Sequence, residues 1–122
     1  MADESALYAL LAADVALAAI VSTRIYDTQV PRNTATPLSV PYIVGQVVSD
    51  SPLTVLDGPP GASNLRIQFD LYAPTKAELR ALHQAVRAVL EPHAVEEAAF
   101  DILEQDTGML RTSTDWSYWV TR

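Results

Sequence analysis

The chain has 122 residues, a length typical of one domain, and 49% of them are hydrophobic, which is enough apolar material for a folded core. The absence of cysteine excludes disulfides, thiolate nucleophiles and sulfur-ligated metals. The formal net charge of −7 argues against direct DNA binding, because that affinity comes largely from lysine and arginine. No apolar run approaches the roughly 20 residues that span a bilayer, so we expect one domain over residues 1–122 and no membrane segment.

The first predicted element is a helix over Ser5–Val21. Apolar residues recur in it at helical spacing, at Leu7, Leu10, Leu11, Leu17, Ala18 and Val21. Asp14 falls within this stripe, where an unpaired carboxylate costs stability, but aspartate is a favoured N-cap. Two interpretations remain open: a break near residues 12–13 with Asp14 capping a second short helix, or one bent helix with Asp14 reaching solvent.

Two strands are predicted next, a short one at Arg24–Asp27 and a longer one at Tyr42–Val48. Between them, three prolines fix an extended, non-helical path, at Pro31, Pro37 and Pro41. The stretch Asp50–Asn64 is a predicted loop because it contains Asp57-Gly58-Pro59-Pro60-Gly61, a strong turn signal. This run lacks the lysine and the serine or threonine of a phosphate-binding loop, so we interpret it as a turn.

The second half of the chain has the clearest patterns. Leu65–Ala73 alternates between apolar and polar residues, the period of a half-buried strand. A helix follows, capped by Thr75 with Glu78 in a capping-box spacing, and Pro92 ends it. Its predicted buried stripe consists of Leu79, Leu82, Val86, Val89 and Leu90, and its predicted outward face of Lys76, Arg80, His83, Arg87 and Glu91.

Two further strands complete the chain. Residues Ala98–Gln105 alternate again, Gly108 provides a turn, and Arg111–Thr121 forms the last strand. The predicted order is α-β-β-β-α-β-β. We therefore expect an α+β fold, in which a mainly antiparallel sheet of four to five strands has two helices packed on one face.

The sequence contains no arrangement of residues typical of a catalytic site. Its two histidines, His83 and His93, are the only groups that titrate near neutral pH, and neither is spaced as a metal ligand pair. We interpret both as solvated, and likewise the acids Glu96, Glu97 and Asp101, because they lack the loop geometry of a calcium site. We expect no enzymatic activity, no metal and no cofactor.

The aromatic segment Trp116-Ser117-Tyr118-Trp119 is the main candidate for an interaction surface. Strand alternation puts Trp116 and Tyr118 on one face and Trp119 on the other. A half-exposed tryptophan is one interpretation. We favour the other, contact with a second subunit, because a domain this small cannot bury both faces and tryptophan is enriched at interface centres.

Several stretches together resemble the tail-completion (tail-terminator) family of long-tailed bacteriophages and related tailed particles. The resemblance covers most of the chain up to about Leu90 and rests on order and spacing more than on any one motif. The stretches are Leu7-Tyr8-Ala9-Leu10-Leu11-Ala12-Ala13-Asp14, Arg24-Ile25-Tyr26, Val40-Pro41-Tyr42-Ile43-Val44, Leu65-Arg66-Ile67-Gln68-Phe69-Asp70-Leu71-Tyr72-Ala73 and Thr75-Lys76-Ala77-Glu78.

The resemblance implies a structural virion protein with no catalytic residues. Such proteins form hexameric rings at the head-proximal end of the tail tube, assembled in the host cytoplasm. They end tube polymerisation and join the tail to the head connector, or stopper, protein. The implied partners are other copies of the chain, the tail tube protein and the connector, while DNA passes through the ring without specific binding. Alternatives are another ring-forming connector or tube subunit, or a small-molecule-binding α+β module.

We expect subunit or tail contacts at Trp119 and in the proline-stiffened loop. The loop carries few apolar residues, Leu53, Val55 and Leu56, which lie beside Asp57. Because three such side chains are too few to hold the loop on its own domain, they are candidates for insertion into a neighbouring subunit. We therefore predict that this loop becomes ordered against a neighbouring subunit or the tail tube.

Overall fold

A five-stranded sheet with helices on one face makes up the described part of the chain, residues 5–22, 24–27, 41–52, 62–103 and 110–121 of a computed structural model. The elements are α1 (Ser5–Ala13), α2 (Val15–Val21), β1 (Ile25–Asp27), β2 (Tyr42–Pro52), β3 (Ala62–Ala73), α3 (Lys76–Leu90), β4 (Val95–Leu103) and β5 (Leu110–Thr121). The strand order is β1-β2-β3-β5-β4, and every neighbouring pair except β1–β2 is antiparallel. The predicted α+β fold and element order are confirmed.

The N-terminal helical region is broken at Asp14. This residue has extended backbone angles (φ −78°, ψ 124°), and its Oδ2 accepts a hydrogen bond of 2.8 Å from the backbone N–H of Leu17. Of the two interpretations left open, the break with Asp14 as an N-cap is therefore confirmed. The cap satisfies one of the free N–H groups at the start of α2 and holds the carboxylate out of the apolar stripe.

The core lies between the helices and one face of the sheet. On β3 the residues that alternate inward are fully or almost fully buried: Leu65, Ile67, Phe69 and Leu71. The stripe of α3 packs against them through Leu79, Leu82, Val86 and Leu90, and the cap at Thr75, which accepts the N–H of Glu78, starts this helix as predicted. Burial of each such side chain contributes about 1.5–3 kcal/mol, so these two elements hold the fold together.

Three strands are longer than the sequence pattern predicts. β2 continues to Pro52 and β3 begins at Ala62, with Asp50 paired to Leu65 and Pro52 to Ser63. The predicted loop over residues 50–64 is therefore wrong at both of its ends, because backbone pairing continues through polar residues that look like a loop. β4 begins at Val95, three residues before its predicted start.

Candidate assembly surface

Strand β4 forms one edge of the sheet. It pairs with β5 from Val95 to Leu103, and no described strand lies on its other side. Helix α3 packs over β3 and β5, which leaves the β4 residues on its side, Ala99 and Asp101, exposed. An open edge presents unpaired backbone N–H and C=O groups, which are a template for pairing with another chain. β4 is thus open at its edge, on its outer face and, at Ala99 and Asp101, on the helix side as well.

Four large apolar side chains form a stripe on the sheet face opposite the helices. The exposed fraction is 58% for Val95, 64% for Phe100, 39% for Ile102 and 55% for Trp119. A bulge between Glu96 and Ala98 brings Val95 onto the same outer face of β4 as Phe100 and Ile102, and Trp119 extends the row from the end of β5. We call these four residues the apolar stripe. The larger apolar residues of β4 therefore face solvent. An isolated subunit leaves this hydrophobic surface uncovered.

The two tryptophans of β5 lie on opposite faces, as predicted. Trp116 is fully buried, and its Nε1 donates a hydrogen bond of 2.9 Å to Oγ1 of Thr114, which in turn donates one of 2.7 Å to the carbonyl of Phe69. A buried indole needs such a partner for its N–H. The core thus requires Trp116 but not the exposed Trp119, whose contact with another subunit stays a prediction.

The middle of the outer face differs from the stripe because its polar groups pair with one another. Arg66 and Asp115 form an ion pair of 2.8 Å across β3 and β5. The rings of Tyr42 and Tyr72 stack with centroids 4.5 Å apart, and the guanidinium of Arg111 lies 6.0 Å from the centre of the Tyr72 ring. These charged and aromatic groups contact one another, although Oδ1 of Asp115 is buried without a hydrogen-bond partner among the described residues. The large exposed apolar side chains of this face lie towards β4.

A second exposed apolar segment lies across the sheet, on β2. β1 pairs with β2 only from Ile43 to Gly45, so the part of β2 after Gly45 has no described strand on that side. Val47 and Val48, at a bulge in this part, are 40% and 55% exposed. Two different exposed apolar segments therefore lie near opposite edges of the sheet.

Glu96 of β4 is linked to α3 by side-chain contacts. One of its partners is His83, which the sequence predicted to be solvated. The Glu96 carboxylate accepts hydrogen bonds from Arg87 (2.7 Å from Nη2) and lies 2.9 Å from Nε2 of His83. The His83 and Glu96 side chains are only 14% and 15% exposed, so the prediction that both are solvated is wrong. Burial raises the pKa of Glu96, but hydrogen bonds from Arg87 and His83 outweigh burial and leave the pKa below its ordinary value. His93 is exposed as predicted.

The other predicted contact residues, Leu53, Val55, Leu56 and Asp57, lie outside the described residues. Within the described ranges, no three His, Cys, Asp or Glu side chains are grouped so that they could hold a metal ion. None of the described helices is long and apolar enough to cross a membrane.

Comparison with known proteins finds a matching family and a matching fold. The family described as Tail completion protein gp17 matches residues 5–121. No curated protein matches the sequence. Among solved structures, a chain of the virion of the native gene transfer agent (GTA) particle has the same fold, with a TM-score of 0.76 and 19% identity over 98% of this chain and 94% of that one. The chain therefore belongs to the tail completion protein gp17 family and is a structural protein of the virion tail.

Proposed function

We propose that the chain forms a closed hexameric ring at the head-proximal end of the tail tube, where it ends tube polymerisation and presents the surface that joins the tail to the head connector. The observation that carries this proposal is that a tail completion protein has the apolar stripe beside its open edge, on strand β4 and at the end of β5. Covering apolar surface contributes roughly 25 cal/mol per Å². A neighbouring subunit that covers the stripe gains this contribution, which the isolated subunit lacks.

A ring of identical subunits in head-to-tail contact needs two different surfaces on each subunit. Two exposed apolar surfaces meet this requirement, because they lie near opposite edges of one sheet. One is the apolar stripe, and the other is the pair Val47 and Val48 on β2. A self-complementary patch would instead give a closed dimer. The placement of the two segments therefore favours contact between the β4 edge of one copy and the β2 edge of the next.

The charge suits a ring through which DNA moves. A wall built from subunits of net charge −7 repels phosphate instead of binding it, so DNA can slide without specific contacts. The tail tube protein on one side of the ring and the connector on the other complete the set of partners. The proposed function consists of assembly with these partners and requires neither a catalytic group nor a cofactor.

Particles made without the chain test this function. We expect tail tubes that exceed their normal length and carry no head, because nothing ends polymerisation or supplies the joining surface. The wild-type chain should restore normal tails, whereas a Val95→Asp and Phe100→Asp double variant should fold but fail to restore them. A Val15→Asp and Ala16→Asp double variant is the control, since it adds the same two charges at exposed residues of α2, outside the sheet. Normal, head-bearing tails in the absence of the chain contradict the proposal.

A further inference from the structure

One side of α3 carries an unusual concentration of basic side chains for this acidic chain. Lys76, Arg80, His83 and Arg87 recur at a spacing that puts them on a single helix face. They line a groove of about 350 Å³ between α3 and β4, whose opposite wall includes Asp101. Three of the eight basic residues of the chain, including its single lysine, thus lie in one groove.

The inner and outer parts of this groove differ in how their charge is compensated. At the inner end, Arg87 and His83 are both held by Glu96, at 2.7 Å and 2.9 Å. Lys76 and Arg80 are exposed and have no acidic partner within 4 Å among the residues that the structure describes. The outer part of the groove therefore presents two uncompensated cations beside the open strand β4.

We propose that this groove binds an acidic segment of the next copy of the chain in the ring, an inference that rests on the proposed function. The chemistry of the occupant follows from the sequence: without the three groove cations, the chain has 15 acidic residues against five basic ones. Subunits with a net charge of −7 repel one another, and a local contact of opposite sign offsets that repulsion where they meet.

The position of the groove supports a second copy as the occupant. The groove and the apolar stripe lie on the two faces of β4, so a neighbour that reaches this edge can cover both. Apolar contact then supplies most of the affinity, while the charge contact fixes the register and orientation of the neighbour. An acidic segment of the tube or connector protein is the competing occupant, and the experiment separates the two.

The single lysine makes this contact directly measurable. A water-soluble carbodiimide joins an amine to a carboxylate in contact with it, and Lys76 has the only side-chain amine of the chain. Tails lacking the protein are completed with a one-to-one mixture of unlabelled and ¹⁵N-labelled chain and then cross-linked. We expect a covalent dimer of twice 13.3 kDa, in which a labelled Lys76 peptide is joined to an unlabelled acidic peptide of the same chain.

Two variants test the role of charge. Arg80→Gln keeps the reactive amine, and we expect it to lower the yield of this inter-copy link about threefold, the size of one exposed ion pair. Ala81→Glu makes the same change in net charge on an exposed position of α3 that faces away from the groove, so it should leave the yield unchanged.

The outcomes separate the inference from the function on which it rests. A link from Lys76 to a different virion protein, or completed tails with no Lys76 link between copies, overturns the inference alone. An equal loss of yield in Arg80→Gln and Ala81→Glu also overturns it, because the effect is then one of net charge. If the mixture does not bind tails at all, the proposed function fails and the inference fails with it.

Discussion

Trp116 and Trp119 stand three residues apart on β5, yet one is fully buried and the other is 55% exposed on the opposite face of the sheet. The buried ring fills the core and has its N–H bonded to Thr114, whereas the exposed ring lies in the apolar stripe. The same residue type therefore has two different environments on one strand. We expect truncation of Trp116 to affect folding and truncation of Trp119 to affect assembly.

We predict that Trp119→Ala changes the free energy of unfolding by less than about 0.5 kcal/mol, the usual effect of a surface substitution. Ring formation or tail completion should nevertheless be weakened, because the largest side chain of the stripe is lost. Denaturant titration measures the first effect, and complementation of tails made without the chain measures the second. If Trp119→Ala unfolds the subunit, Trp119 is a core residue and its assignment to the interface fails.

Trp116→Ala is the matched comparison. Removing a fully buried tryptophan leaves a cavity and removes the hydrogen bond that Nε1 donates to Oγ1 of Thr114, so we expect a loss of about 3–5 kcal/mol in the free energy of unfolding. Denaturant titration under the same conditions gives this value. A loss similar to that of Trp119→Ala would contradict the division of β5 into a core face and an assembly face.

Gly45 provides a second test of the core, because two aromatic rings occupy the space beside it. A Cβ atom at this position would lie 2.6 Å from Cε1 of Phe69 and would also collide with the hydroxyl of Tyr8. These two rings pack edge to face with centroids 5.6 Å apart, so neither moves freely. We expect Gly45→Ala to destabilise the fold by about 1–3 kcal/mol, the range for overpacked cores.

Gln46 supplies the control for this substitution. It follows Gly45 on the same strand but is exposed, so Gln46→Ala should leave the midpoint of denaturant unfolding nearly unchanged. Equal stability of Gly45→Ala and Gln46→Ala would mean that the contact between α1 and the sheet is looser than the structure indicates.

Acid stability should depend on Glu96. Hydrogen bonds from Arg87 and His83 hold its pKa below the ordinary value of 4.5, so the folded state favours the carboxylate. The resulting stability is fully present above pH 4.5 and is lost as the pH falls through the lowered pKa of the folded state. We therefore predict that Glu96→Gln reduces stability at neutral pH and flattens the decline of stability on the acid side.

Thermal unfolding between pH 7 and pH 3 checks this prediction. Glu91→Gln is the control, because Glu91 is exposed at the end of α3 and forms no hydrogen bond to His83. It should retain the acid-side decline of the wild type. If the stability of Glu96→Gln falls with pH as steeply as that of the wild type, protonation of Glu96 does not contribute to the acid-side loss of stability.

The sequence predicts best where one local pattern decides the structure. α3 and residues 65–73 of β3 were correctly predicted because their apolar periods of 3.6 and two residues are regular. At Asp14 the sequence left a capped break and a bent helix open, and the structure decides for the N-cap. The pair of His83 and Glu96 could not be predicted in this way. Its members are thirteen residues apart on different elements, so no local pattern reports their contact.

The apolar stripe shows a second limit of sequence patterns. Alternation in β4 reveals that Phe100 and Ile102 share a face, but it does not reveal whether a helix covers that face. The position of α3 over β3 and β5 decides this, and that position depends on the packing of the whole core. Trp119 could be assigned to the outer face because it is offset by three residues from a buried tryptophan on one strand.

The segment between β2 and β3 can be tested although it lies outside the described residues. Pro52 and Ser63 are paired at the ends of the two strands, so a two-residue Asn-Gly turn in place of residues 53–62 should preserve the sheet. This variant removes Leu53, Val55, Leu56 and Asp57. We predict a folded protein, measured by circular dichroism and thermal unfolding, that does not complete tails. Normal, infectious particles from this variant would mean that the segment is a spacer.

The position of the chain within the particle tests the central claim most directly. Electron cryomicroscopy of intact particles should resolve one ring of six copies between the last layer of tube subunits and the head connector, with the β4 edge of each copy against its neighbour. Copies that repeat along the length of the tube, or that bind the particle singly without contacting one another, would contradict the proposal.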